Sequence, residues 1–383
     1  MVTKKSRSRF NTFNRTFFGL FQYMLNTDSA GPVDLGSNAT RVALAAGILA
    51  LTACATTMDR DAPRGVVADG AQFEIISTVG KVFGEGVVAA KNGQVYVLDV
   101  TWGMNPDPGG SIYRYDPATG ATTKFLEPSG LALGLHIDKN NDLIIAEGAR
   151  GGGRQIVRRN LATGAQMVIA DSYQGKRFVA PNDVTSDAKG RLYFTDARYS
   201  GDESMELPNA VYRIDPDGKI TQISTDILRP NGIEVSPDGK RLYIAAANSA
   251  RMMRNPMGPA QDKFGITTGG VVAYDLDNDG NLSNGRVFYR NDDLSVDGMA
   301  MDTDGNLYLA LHDGLKPPIP GDIVVLRPDG TLLAQITPPP GTRPSNIGFG
   351  RGNDANSLYV TTGFGVPWRL YRIRTVRRGH YWE

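Results

Sequence analysis

From about residue 65 onward, apolar and polar residues alternate with a period of two over short runs, and each run is cut off by Gly, Asp, Asn or Pro. Six runs look alike: NGQVYVLDV, NDLIIAEG, KGRLYFTDA, GKRLYIAAA, DGNLYLALH and ANSLYVTTG. Each reads as a strand that follows a tight turn. Their central residues, Tyr96, Ile144, Tyr193, Tyr243, Tyr308 and Tyr359, are spaced by 48, 49, 50, 65 and 51 positions. Between them lie hairpin patterns such as SIYRYDPATGATTKF and NAVYRIDPDGKITQI, with Asp-Pro, Thr-Gly or Asp-Gly turn chemistry between alternating strands.

A repeat of about 50 residues, with roughly four short strands per copy and almost no helical periodicity, predicts an all-β six-bladed β-propeller. Closing the ring removes the exposed edges that an open antiparallel sheet would leave. Residues 71–79, AQFEIISTV, fall outside the six units and are expected to supply a strand that completes the last blade. The one long spacing holds an insertion at roughly 248–268, the length of a binding rim or lid rather than of a core connection.

The N-terminal segment follows a different pattern. Residues 1–41 carry six Lys/Arg against two Asp, followed by the apolar run Val42–Ala53 and then Cys54. Twelve residues are too short for a helix spanning ~30 Å of hydrocarbon but suit the core of a signal peptide. The tetrapeptide Leu51-Thr52-Ala53-Cys54 resembles the lipobox of bacterial lipoproteins, which implies lipidation at Cys54. The expected organisation is a signal peptide over 1–53, a lipidated Cys54 and linker over 54–70, and a propeller over 71–383. The protein would then be exported and held to the bacterial cell envelope. Met24 is an alternative start for so long a leader.

Composition narrows the chemistry. With 41 Lys/Arg against 40 Asp/Glu, a net charge of +1 and no basic run beyond the leader, nucleic acid is not an expected partner. The single cysteine excludes an internal disulfide and any Cys-based zinc cluster.

Polar residues recur at one phase of the repeat. Glu85, Asn182 and Asp297 each lie 11 positions before their central tyrosine, Asn231 lies 12 before and Asn346 lies 13 before, while Leu133 holds the place in the second unit. In a closed ring, residues of one phase converge near the axis. Singly, Pro-Asn-Gly and Asp-Gly are ordinary turn dipeptides; five of six copies at one phase are not. Hard oxygen donors without Cys or His favour Ca²⁺ over zinc or copper, although another divalent cation is compatible. A few protein ligands would leave positions open to water and substrate, which suits catalysis.

At these residues the chain resembles the family of gluconolactonases and senescence marker protein 30, over about residues 75–376. The stretches that carry the likeness are GEGVV at 84–88, GKRFVAPNDVTSDAKGRLYFTDARYSG at 175–201, RPNGIEVSPDGKRLY at 229–243 and VDGMAMDTDGNLYLA at 296–310. The resemblance implies a calcium-dependent hydrolase of lactones or related esters, with Glu85, Asn231 and Asp297 as metal ligands, Asn182 contacting substrate and Asp297 as general base. Family members often have Asn where Leu133 stands and His where Gly148 stands. Both differences make the pocket less polar and point to a more hydrophobic lactone or ester.

Two alternatives stay open from sequence: a non-catalytic, calcium-stabilised propeller that binds a ligand or protein, and a strictosidine-synthase-like propeller, against which the intact Glu85, Asn231 and Asp297 set argues. Other signals lead away from function. Asp275-Leu-Asp-Asn-Asp-Gly-Asn imitates a calcium loop but has Arg286 where a bidentate Glu is required, so it reads as a hairpin turn. Arg150–Arg154, RGGGR, reads as a flexible connection, His136 and His312 as hydrogen-bonded interior or rim residues, and His380 as an exposed part of a basic tail. No Gly-x-Ser-x-Gly elbow occurs.

Overall fold

The computed structural model describes residues 65–80, 83–101, 109–149, 151–199, 204–248, 262–312, 321–363 and 368–383. All of them belong to the unit Thr57–Glu383. The leader, Cys54 and the middle of the predicted insertion lie outside the described residues.

Six four-stranded antiparallel sheets make up a β-propeller. In chain order, each of the first five runs from its innermost strand outward. The first is Gly84–Ala89, Val95–Asp99, Ser111–Asp116 and Ala121–Leu126; the second is Ala132–Ile137, Asp142–Glu147, Gln155–Asn160 and Gln166–Ala170. The third is Pro181–Ser186, Leu192–Asp196, Ala210–Ile214 and Ile220–Ser224; the fourth is Pro230–Val235, Arg241–Ala247, Gly269–Leu276 and Leu282–Asn291. The fifth is Ser295–Met301, Leu307–His312, Asp322–Leu326 and Leu332–Ile336. The sixth has Pro344–Phe349, Ser357–Thr362 and Leu370–Arg374 from the end of the chain, and its outermost strand, Glu74–Ser77, comes from the beginning. Closure thus follows the expectation for residues 71–79, reinforced by an Arg372–Glu74 ion pair at 2.6 Å.

Each innermost strand packs against the innermost strands of both neighbours, the last against the first. Strands buried on both faces carry near-continuous apolar runs, as in Leu192–Asp196, whereas outermost strands such as Ala121–Leu126 are partly exposed and mixed. The repeated tyrosines are buried between blades, and several are pinned by the carboxylate of the preceding turn. Asp302 accepts the N–H groups of Asp304 and Asn306 at 3.0 and 2.8 Å, the Asn306 amide at 2.8 Å and the Tyr308 hydroxyl at 3.3 Å. Asp187 does the same for Lys189, Arg191 and Tyr193.

The segment resembling a calcium loop is a hairpin turn, in which Asp277 accepts the N–H groups of Asp279 and Asn281, each at 2.8 Å. In the described part of RGGGR, Gly153 lies so close to the Glu147 carboxylate that no Cβ would fit, and Arg154 Nε donates to the Phe178 carbonyl at 2.7 Å. One expectation is corrected. His380 is half-buried rather than exposed, because the chain end folds across one mouth of the axial channel. There His380 N–H donates to the Met301 carbonyl at 2.9 Å and Trp382 Nε1 to the Ser186 carbonyl at 2.7 Å. Tyr381 donates to the Phe349 carbonyl under the Arg351 guanidinium, and Glu383 pairs with Lys91 at 3.3 Å.

Candidate metal centre at the hub

All six innermost strands carry one extra residue at the same height. Between Gly84 and Val87 the first strand advances three residues while its partner advances two, from Asp99 to Val97. The same slip occurs between Pro181 and Val184, Pro230 and Ile233, and Val296 and Met299. In the second and sixth blades it falls between Ala132 and Gly134 and between Pro344 and Asn346. A bulge re-aims the side chains it contains. Glu85, Asn182, Asn231 and Asp297 all sit in these bulges, 6, 6, 5 and 2 % exposed. Glycines beside them let the strands converge: a Cβ on Gly134 would lie 2.5 Å from the Asn182 carbonyl, and one on Gly232 would lie 2.5 Å from the Asp297 carbonyl.

The ladder changes one assignment of phase. Gly348 stands opposite Tyr359 as Val88 stands opposite Tyr96, so Ser345 rather than Asn346 holds the position of Glu85, and Asn346 matches Asp183. The two matching residues behave alike. Asp183 Oδ1 accepts the Val184 N–H at 2.9 Å and Asn346 Oδ1 accepts the Ile347 N–H at 2.8 Å. Asp183 was missed in the sequence, although its signal was visible: Pro-Asn-Asp carries a carboxylate where the parallel Pro-Asn-Gly has none.

Electrostatics tie these residues into one neighbourhood. Burial pushes the Glu85 carboxyl well above the usual range; the nearby Asp297 and then Asp183 raise it further, and a hydrogen bond with Asn346 opposes them. Burial raises Asp183 to about 7, with the Val184 and Ile233 N–H groups pulling down and Asp297 pushing up. The Tyr199 hydroxyl feels Asp297 and Glu85, hydrogen-bonds the Asn231 side chain and donates to the Pro230 carbonyl at 3.0 Å. His312, fully buried on the second strand of the fifth blade, places Nε2 2.6 Å from Asp297 Oδ2. Sequence reasoning placed His312 as an interior histidine but did not connect it to Asp297, because the two are paired only through a strand register.

A buried Glu85 whose ionisation is opposed by both Asp297 and Asp183 makes a costly arrangement in the absence of a cation. Among the described residues, no three His, Cys, Asp or Glu side chains form a metal cage by themselves. A bound ion would therefore draw on amide oxygens as well as carboxylates. The donors at hand, carboxylates of Glu85 and Asp297 and the amide of Asn231, are hard oxygens and fit a calcium-like cation.

A model of the SMP-30/gluconolactonase/LRE-like region matches residues 83–364, most of the chain. The chain belongs to this family. A gluconolactonase from Zymomonas mobilis is 31% identical over 312 residues, covering 76% of this chain and 78% of that protein. A pentonolactonase from Haloferax volcanii is 28% identical, covering 67% and 75%. Among solved structures, a gluconolactonase from Xanthomonas campestris superposes with a TM-score of 0.63 at 22% identity, over 81% of this chain and 91% of that one. Leu133 and Gly148 pack against each other in this chain. Leu133 Cδ1 would lie 2.7 Å from a Cβ on Gly148, so a side chain at 148 would require Leu133 to shift. Leu133 joins Phe83, Leu131 and Leu135 in one apolar cluster.

Proposed function

We propose that the protein is a calcium-dependent lactonase, hydrolysing lactones or related esters at the hub, and that it is exported and anchored to the cell envelope through a lipid on Cys54. The observation that carries the catalytic reading is the meeting of Glu85, Asp297 and Asn231 in the bulges of separate blades, in a family whose relatives are named lactonases.

Glu85, Asn231 and Asp297 would hold the ion. When bound, it supplies a Lewis acid for the lactone carbonyl and for the charge that develops on its oxygen. Asp297 is the general base: His312 engages Oδ2, which fixes the carboxylate plane and leaves Oδ1 to take a proton from the attacking water. The water oxygen joins the carbonyl carbon, the ring C–O bond breaks, and the departing alkoxide receives the proton, giving a hydroxy acid. Asn182 orients the substrate, and Tyr199 keeps the Asn231 amide turned toward the hub.

Turnover of a lactone panel before and after chelation tests this reading. Activity lost with EDTA and restored by calcium is the expected result. Metal-linked thermal stabilisation without turnover of any lactone or ester would instead favour a non-catalytic binder. Lipid labelling of the wild-type chain but not of Cys54→Ser checks the anchor.

A further inference from the structure

We infer that Arg229 is an anion-docking residue at the mouth of the hub, and that the substrates of this protein are lactones bearing a carboxylate; the second half rests on the lactonase reading. Arg229 lies two residues before Asn231 and is 3 % exposed, the most buried arginine among the described residues. Its Nε has no hydrogen-bond partner, a feature shared with Arg213, but unlike Arg213 its guanidinium is joined to no carboxylate in an ion pair among the described residues. Other buried arginines are matched: Arg191 meets Asp187 at 2.6 Å, Arg213 meets Asp215 at 2.8 Å, and Arg351 pairs with Glu383. An arginine cannot shed its charge, so burial without a counter-ion is costly unless a ligand supplies one.

The guanidinium sits beside Tyr199, whose hydroxyl is also within electrostatic reach of Glu85 and Asp297. Its backbone is held firmly, with the N–H bonded to Asn248 Oδ1 at 3.0 Å and the carbonyl accepting the Ala247 N–H at 3.0 Å. The equivalent carbonyls of Phe83, Leu131, Ala180 and Arg343 accept the same strand-end N–H in their blades, at 2.7, 2.9, 3.2 and 3.1 Å. These residues form one layer directly before the bulges. Its first three blades contribute apolar side chains, and its fourth and sixth contribute arginines.

A ligand entering this layer would find apolar residues contributed by the first three blades and guanidinium groups contributed by the fourth and sixth. The carboxylates at the hub would repel an anionic substrate, and Arg229 offsets that repulsion at the place where the substrate's own carboxylate could form a bidentate pair. A neutral polyol would leave the guanidinium unpaired.

The test compares γ-carboxy-γ-butyrolactone with its neutral carboxamide, in the wild type, Arg229→Gln and Arg229→Lys, with calcium present. The wild type is expected to prefer the carboxylate in kcat/KM. That selectivity should fall at least about 30-fold in Arg229→Gln and less in Arg229→Lys. A wild-type preference for the carboxamide, or a selectivity unchanged by Arg229→Gln, overturns the inference. Cyclopentanecarboxylate, which cannot be hydrolysed, gives a readout without turnover: it should raise the Tm of the wild type and not of Arg229→Gln. Protection of both proteins, or of neither, also overturns it. Arg229-dependent protection with no lactone turned over would keep the anion site and sink the lactonase reading instead.

Discussion

Two sets of buried carboxylates repeat around this ring, and they meet opposite fates. In the blade bodies, Asp187 and Asp302 sit in the turns before the central tyrosines, and each accepts backbone N–H groups and a tyrosine hydroxyl. At the hub, Asp297 and Asp183 make the buried Glu85 harder to ionise, and Asp297 does the same to Asp183. Both sets are buried acids that recur from blade to blade. What differs is the surroundings: the turn carboxylates are held by several donors of their own turn, whereas at the hub Asp183 and Asp297 have donors and still face the buried Glu85, which has Asn346 as a side-chain partner and carboxylates as neighbours. Repetition alone marks architecture, and repetition with unmet charge marks a site.

The sharpest way to break this comparison is to exchange one member of each set. Asp297→Asn should lower kcat on any accepted lactone by at least about a thousandfold, as expected when a base and a ligand are lost together, while its Tm stays near that of the wild type. Asp302→Ala should do the reverse. It strands several buried donors at a cost of about 3 kcal/mol, lowering Tm by several degrees, with kcat of the folded enzyme unchanged. Urea titrations and steady-state rates on both variants check the pair, and a Tm loss in Asp297→Asn matching that of Asp302→Ala would erase the distinction.

His312 sharpens it further. Because it holds Asp297 rather than touching substrate, His312→Gln should reduce kcat by roughly ten- to a hundredfold with little change in KM. A change confined to KM would place His312 in substrate binding.

The smallest effect is expected below the hub, where Glu234 faces the axial cavity and burial, helped by Asp183, raises its carboxyl to about 8. A folded-state pKa above the unfolded value means that the native state binds the extra proton. Stability is then full below the ordinary value near 4.5 and declines as pH rises through about 8. Glu234→Gln, which keeps the side chain's bonding capacity toward Thr185, should flatten that decline. Equal slopes in the two proteins would contradict it.

Much of this was legible from sequence. The six strand runs, the closing strand at 74–77 and the polar phase holding Glu85, Asn182, Asn231 and Asp297 follow from period-two alternation and a repeat near 50 residues, because both are imposed by local backbone geometry. The bulges were not, since an extra residue in a ladder is defined by a partner strand. For that reason Asn346 appeared to share the phase of Glu85 when its true counterpart is Asp183. The links from His312 to Asp297 and from Tyr199 to Asn231 were hidden in the same way. So was the isolation of Arg229, a property of its surroundings that the motif RPNG does not carry. His380 was misjudged because a basic tail looks soluble until the residues it covers are known.

The most direct measurement is a calorimetric calcium titration of the wild type and of the double variant Glu85→Gln/Asp297→Asn. A single saturable site is expected in the wild type, with proton release as the raised hub carboxyls ionise, and no measurable binding in the folded double variant. Calcium affinity that survives in the double variant, or is absent from an active wild type, would contradict it.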